Sequence, residues 1–316
     1  MAGNGNIDFF CLECYTDKSE VNTLQTEVIK IDRENMDLDA LKRAGEILKS
    51  GGLVAFPTET VYGLGGDGLH EESSRKIYEA KGRPSDNPLI VHVADMEHLE
   101  KIVKKVPKAA YKLAEAFWPG PMTMILEKND LVPYGTTGGL DTVAIRMPSD
   151  PIALELIRQG GGYIAAPSAN TSGRPSPTTA QHVYEDLQGK IPMILDGGAV
   201  TIGLESTIVD LTEEIPTILR PGFISLDMVQ AVLGEAQIDR GLIANDSNIH
   251  PKAPGMKYRH YAPKADLKIV EGPMEQVISY INEQAEKGRT GIICTEETRS
   301  RYPKGDIKCV GTRKDE

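Results

Sequence analysis

Leu53-Val54-Ala55-Phe56-Pro57-Thr58-Glu59-Thr60-Val61-Tyr62-Gly63-Leu64-Gly65 reads as a short apolar strand running straight into a hydroxyl-bearing loop. Pro57 ends the strand because proline cannot donate to a sheet ladder. Thr58 and Thr60 then offer groups that donate or accept. Ligands in α/β sheets bind beyond strand ends, so the loop is either a plain turn or one wall of a site. Gly63, Gly65 and Gly68 also match G-x-G-x-x-G, with Asp86 near the distance of a ribose-binding acid. The string is weak alone, and Pro57 interrupts the strand that should precede it, so a dinucleotide site is a minor alternative.

Outward from this stretch the pattern alternates. Leu38, Leu41, Ala44 and Leu48 recur at helical spacing, and Gly51-Gly52 ends that helix. Helices are predicted at 71–80, 96–117, 151–158, 179–187 and 226–233. Strands are predicted at 53–56, 88–93, 122–126, 142–146, 163–166, 193–195, 207–211 and 217–219. Such a mixture indicates an α/β domain with a large sheet. Residues 1–26 read as an N-terminal extension, 27–240 as the main domain, and 241–263, with Pro251, Pro254, Gly255 and Pro263, as a linker. A small α/β domain follows at 264–316, with strands at 267–270, 291–294 and 307–310 and a helix at 274–287. It reads as short for a domain that must cover its own sheet.

The chain has 316 residues, enough for two domains at roughly 100–200 residues each. No apolar run approaches the ~20 residues of a membrane span, and Met1–Asn6 has no basic or apolar signal pattern, so a cytoplasmic protein is expected. The formal charge of −11 argues against nucleic acid as the main ligand and favours a small anion in a local basic pocket. Cys11 and Cys14 form a lone C-x-x-C, which lacks the four ligands of a structural zinc site and reads as a pair of reduced thiols.

Cations and hydroxyls recur at strand ends. Lys81-Gly82-Arg83-Pro84-Ser85-Asp86-Asn87-Pro88-Leu89-Ile90-Val91-His92 joins a helix to a strand. Arg offers a planar fork for phosphate and Lys a point charge; the bland alternative is basic residues suited to a helix C-terminus. His92, in an apolar run, reads more simply as a core residue. Ala165-Ala166-Pro167-Ser168-Ala169-Asn170-Thr171-Ser172-Gly173-Arg174-Pro175-Ser176 is a small-residue strand entering a polar loop. Arg146 and Arg220 each follow a strand, and Gly203-Leu204-Glu205-Ser206-Thr207 precedes one. No protein nucleophile, paired-carboxylate motif or metal-ligand cluster stands out. The pattern suits positioning and neutralising a polyphosphate.

Taken in order, P-T-E-T-V-Y-G-L, K-G-R-P-x-x-N-P-L-I-V-H, W-P-G-P-M-T, S-A-N-x-S-G and P-G-M-K-Y-R-H-Y-A-P resemble the YrdC-like threonylcarbamoyl-AMP synthases, in their longer two-domain form. The resemblance implies a YrdC-like twisted mixed sheet with helices and a concave cleft, followed by a small Rossmann-like α/β domain. It implies ATP, L-threonine and bicarbonate as substrates, with Mg²⁺ carried on ATP. The product would pass to a separate tRNA threonylcarbamoyl transferase. By matching motifs, Thr60, His92, Arg146, Ala166 and Ser206 should surround threonine. Arg83, Asn87, Thr142, Ser168, Ser176 and Arg220 should surround ATP, joined by Tyr258, Arg259 and Tyr261 of the linker, whose residues 254–263 would form a lid. Lys81 and Arg83 should carry the catalytic charge stabilisation. A carbamoyltransferase using carbamoyl phosphate and an RNA-binding module on the same sheet are the rival readings.

Overall fold

The computed structural model describes residues 24–239 and 265–314. The chain divides into two compact units, Met1–Ala262 and Pro263–Glu316.

The first unit is built on eleven strands: β1 (Glu27–Lys30), β2 (Val54–Phe56), β3 (Gly63–Asp67), β4 (Ile90–His92), β5 (Met122–Glu127), β6 (Thr142–Arg146), β7 (Ile164–Ala166), β8 (Met193–Asp196), β9 (Thr207–Asp210), β10 (Thr217–Arg220) and β11 (Gln237–Ile238). They lie in the order β1-β8-β2-β3-β7-β4-β6-β5-β9-β10-β11, with parallel and antiparallel neighbours mixed. Helices α1 (Leu38–Lys49), α2 (Glu71–Lys81), α3 (Met96–Ile102), α4 (Lys108–Phe117), α5 (Tyr134–Thr137), α6 (Pro151–Gln159), α7 (Ala180–Leu187) and α8 (Leu226–Leu233) connect them. α1 starts where the Asp37 side chain accepts from Ala40 N, and it buries Leu41, Ala44 and Leu48. A methyl group on Gly45 would meet Gln159 backbone atoms at 2.6 Å, which explains how closely α1 lies against the end of α6.

Two sequence expectations change here. The helix predicted over 96–117 is two helices, because Val103 bridges Lys128 and Lys104 N donates to Glu127 O, drawing residues 103–107 out beside the end of β5. Gly63 and Gly65 lie inside β3, in the interior of the sheet, instead of in a loop opening a helix. Their lack of a Cβ makes room for Phe56, Ala166 and Ile164. The dinucleotide alternative therefore loses its phosphate turn.

The central strands set the site by register. His92 of β4 pairs with Arg146 of β6, which pairs with Thr123 of β5. One step along, Ala166 of β7, Ile90 of β4 and Ala144 of β6 form the parallel row. Cross-strand partners share a face, so a histidine, an arginine and a threonine stand beside an apolar patch. Ile90, Ile125, Ala144, Ile208 and Leu219 form that patch as one buried cluster.

In the second unit a helix (Met274–Lys287) and two parallel strands (Gly291–Cys294 and Asp306–Cys309) bury Ile278, Ala285, Ile292, Cys294 and Tyr302. The strand predicted at 267–270 does not form. Leu267 and Ile269 are 74% and 83% exposed, and among the described residues no neighbouring strand supplies backbone partners.

Candidate functional site

The face of that sheet opens into a cleft of about 300 Å³. Its wall includes Thr60, Arg83, Ile90, His92, Arg146, Ala166, Ser168, Glu205, Ser206 and Arg220. The sequence places these residues at seven separate strand ends and loops; tertiary structure brings them together.

Arg146 is 3% exposed. Its Nη1 donates to Thr60 Oγ1 at 2.9 Å. Thr60 and Thr58 hydroxyls stand 2.9 Å apart, and Thr58 Oγ1 donates to Val61 O at 2.7 Å. A carbonyl can only accept, so Thr60 must donate to Thr58 and accept from Arg146, which fixes the direction of the whole chain. Ser206 Oγ lies 2.7 Å from Thr123 Oγ1 and accepts from Arg220 Nη2 at 3.0 Å, while Arg220 Nε donates to Ser206 O at 3.0 Å. Burial pushes the Arg220 pKa down to about 10, against the pull of Glu205, and the guanidinium stays charged at neutral pH. Burial, with the Arg146 charge adding to it, holds the His92 pKa at about 3, so this imidazole is neutral. Its Nδ1 lies 3.1 Å from the Ile90 carbonyl, to which it donates.

Arg83 follows the left-handed Gly82 that ends α2. Its Nε and Nη2 donate to Asn87 O at 3.2 Å and Pro88 O at 3.0 Å, which holds the side chain against its own loop at the cleft wall. Among the described residues Glu205 is the one carboxylate in the wall, and it accepts from Ser176 Oγ at 2.7 Å.

The remaining expected residues sit outside the wall. Lys81 is 1% exposed, and its Nζ donates to the carbonyls of Ser168 and Asn170. Burial, with the Arg83 charge as a lesser cause, pushes its pKa well below the usual lysine value. Lys81 ties α2 to the Ser168–Asn170 loop and stands behind the cleft wall. Asn87 is buried, with its carbonyl serving Arg83, and Thr142 is half-buried at the start of β6. Ser176 is set back behind Glu205. Tyr258, Arg259 and Tyr261, the lid of 254–263, and Cys11 with Cys14 all lie outside the described residues.

Sequence reading passed over Glu59, Glu205 and Asn170. Glu59 stands between two singled-out threonines and Glu205 beside a singled-out serine; adjacency was the available signal. Among the described residues no cluster of three or more His, Cys, Asp or Glu could hold a metal ion, and no helix is long and apolar enough to cross a membrane.

Known proteins share this architecture. The family model for Sua5, YciO and YrdC proteins, described as "Telomere recombination", matches residues 46–222. A second model, "Threonylcarbamoyl-AMP synthase, C-terminal domain", matches residues 224–316. A threonylcarbamoyl-AMP synthase of Pyrococcus abyssi is 52% identical over 251 residues, 79% of this chain and 74% of the relative. One from Bacillus subtilis is 50% identical over 275 residues, 86% of this chain and 79% of the relative. The crystal structure of Pyrococcus abyssi Sua5 complexed with L-threonine superposes with a TM-score of 0.84 at 47% identity, covering 90% of this chain and 84% of that one.

Proposed function

This chain belongs to the Sua5, YciO and YrdC family in its two-domain form, and on that premise we propose that it is a threonylcarbamoyl-AMP synthase. It is an enzyme that condenses L-threonine, bicarbonate and ATP into threonylcarbamoyl-AMP and pyrophosphate, which makes it a nucleotidyltransferase. The observation that carries this reading is the cleft itself. Arg146, neutral His92 and the Thr60 and Ser206 hydroxyls share it with the cations Arg83 and Arg220.

Arg146 takes the threonine carboxylate through charge-assisted bonds. Ala166 and Ile90 leave an apolar recess for the threonine methyl group, and Thr60 and Ser206 supply polar partners. Arg83 and Arg220 face the phosphates. The amine of threonine attacks the carbon of bicarbonate with loss of water, or adds to carbon dioxide formed from it and gives up a proton to solvent, to give a carbamate. A carbamate oxygen then attacks the α-phosphorus and pyrophosphate leaves. Negative charge spreads over the phosphate oxygens in that step, and fixed guanidinium groups stabilise it without reorganising.

Mg²⁺ would supply further charge neutralisation when bound. With Glu205 the one carboxylate in the wall among the described residues, the donor set fits an ion held mainly by substrate phosphates and water. A cytoplasmic setting and a downstream tRNA threonylcarbamoyl transferase as consumer of the product belong to the same proposal.

Pyrophosphate release measured with each substrate omitted in turn tests the reading. Release should require ATP, L-threonine and bicarbonate together. Equal release without threonine, or with carbamoyl phosphate as sole carbon donor, would replace it with the carbamoyltransferase reading.

A further inference from the structure

Glu59 sits in the middle of the loop that opens the site, yet it is 8% exposed and forms no part of the cleft wall. It reaches Arg146 from outside the wall. Oε1 stands 2.8 Å from Nη2, and Oε2 accepts from Ser149 N at 3.2 Å. The 2.8 Å contact is out of line for a hydrogen bond: Glu59 Oε1, Arg146 Nη2 and Arg146 Nε are all buried without a hydrogen-bond partner. The pair is therefore held by charge, while Nη1 of the same guanidinium is held by Thr60.

The backbone of the same residue anchors the opposite wall. Glu59 O accepts from Ile202 N at 2.9 Å and from Thr201 Oγ1 at 3.3 Å, and Thr60 O accepts from Gly203 N at 3.0 Å. These bonds fix the stretch that leads into Glu205 and Ser206. Glu59 thus joins the arginine to the loop facing it.

We propose that Glu59 is a positioning residue for substrate recognition: its carboxylate braces the Arg146 guanidinium at the cleft wall, in the orientation that receives the carboxylate of the amino-acid substrate. The inference rests on the synthase reading. A buried carboxylate on one side and the Thr60 hydroxyl on another leave the guanidinium little freedom to turn, and its residue lines the cleft.

Glu59→Gln keeps the size of the side chain and removes its charge; Glu59→Asp keeps the charge and withdraws it by one methylene. Initial rates of pyrophosphate release, with L-threonine and with L-threoninamide, separate the outcomes. Losing a charge-assisted contact corresponds to about 10–150-fold in affinity. E59Q should therefore raise KM for threonine by at least about tenfold, while kcat and KM for ATP move by less than about threefold. The preference for threonine over threoninamide should shrink in the same variant, because the amide carries no carboxylate to be read. E59D should fall between E59Q and the unaltered protein, and it decides the matter if E59Q does not fold. An unchanged or lowered KM for threonine in the folded variants overturns the proposal. So does an unchanged preference over threoninamide, which would leave Glu59 a stabilising partner only. If the unaltered protein shows no threonine-dependent release at all, the synthase reading is what fails, and that result is visible before any variant is made.

Discussion

His92 shows how one side chain answers two descriptions at once. In the sequence it is a histidine in an apolar run, which suits a core position, and the family resemblance places it beside threonine. In the structure it is 4% exposed and also lines the cleft, edge-on to Phe56 at 6.0 Å between ring centres. Its pKa of about 3 lies below the ordinary value of 6.5. Between those values the unfolded chain binds a proton that the folded chain refuses, so stability falls as pH drops below 6.5 and is fully present above it. Between about pH 7 and pH 5 this one group should remove about 2 kcal/mol. Urea titrations at the two pH values should show that loss in the unaltered protein and lack it in His92→Gln. Equal pH sensitivity in both would mean that His92 titrates normally. Lys81 makes the complementary point. A lysine two residues from an arginine looks like a phosphate ligand in sequence, but burial turns its Nζ onto the Ser168 and Asn170 carbonyls.

At the scale of elements, period and punctuation located most strands and helices to within a residue or two. α1, α2, β6 and α8 were legible because their apolar spacing and end signals agree. β3 was not, because Gly-Leu-Gly-Gly-Asp carries almost no strand signal. Its glycines are explained only by what lies across the sheet. A Cβ on Gly65 would stand 2.8 Å from Ile164 Cγ2 and 3.0 Å from Phe56 Cε1. Gly65→Ala should therefore cost about 1–3 kcal/mol through overpacking, read as a lowered urea midpoint. Full stability in that variant would show that β2 and β7 can move apart freely. The segment at 267–270 fails in the opposite sense: its residues favour a strand, but a strand needs a paired neighbour, and none stands beside it among the described residues.

For the whole molecule, the two units differ in how much they can bury. The first has several large clusters around eleven strands. Among the described residues the second closes a cluster of five buried apolar side chains against a long helix and two strands. A two-stranded sheet with so small a core opens easily. Amides of Ile278 and Ile292 should exchange with solvent at least about tenfold faster than those of Val91 and Ile145, measured by hydrogen exchange under native conditions. Equal protection would mean that the small unit is stabilised as strongly as the large one.

The sequence alone determined the class of the fold and the series of motifs that mark the family, since these depend on local spacing and on the order of residues along the chain. It also picked out Thr60, Arg83, His92, Arg146, Ala166, Ser168, Ser206 and Arg220, all of which line one cleft. Only the tertiary structure decided which polar groups face that cleft and which stand behind it. Lys81 and Ser176 carry the same chemical types as the lining residues, but their carbonyl and carboxylate partners come from segments far apart in the chain. The Glu59–Arg146 pair spans 87 positions and depends on where the end of β6 meets the loop after β2. Charge and shape at a strand end are local properties; the direction in which a buried side chain is aimed is set by everything packed around it.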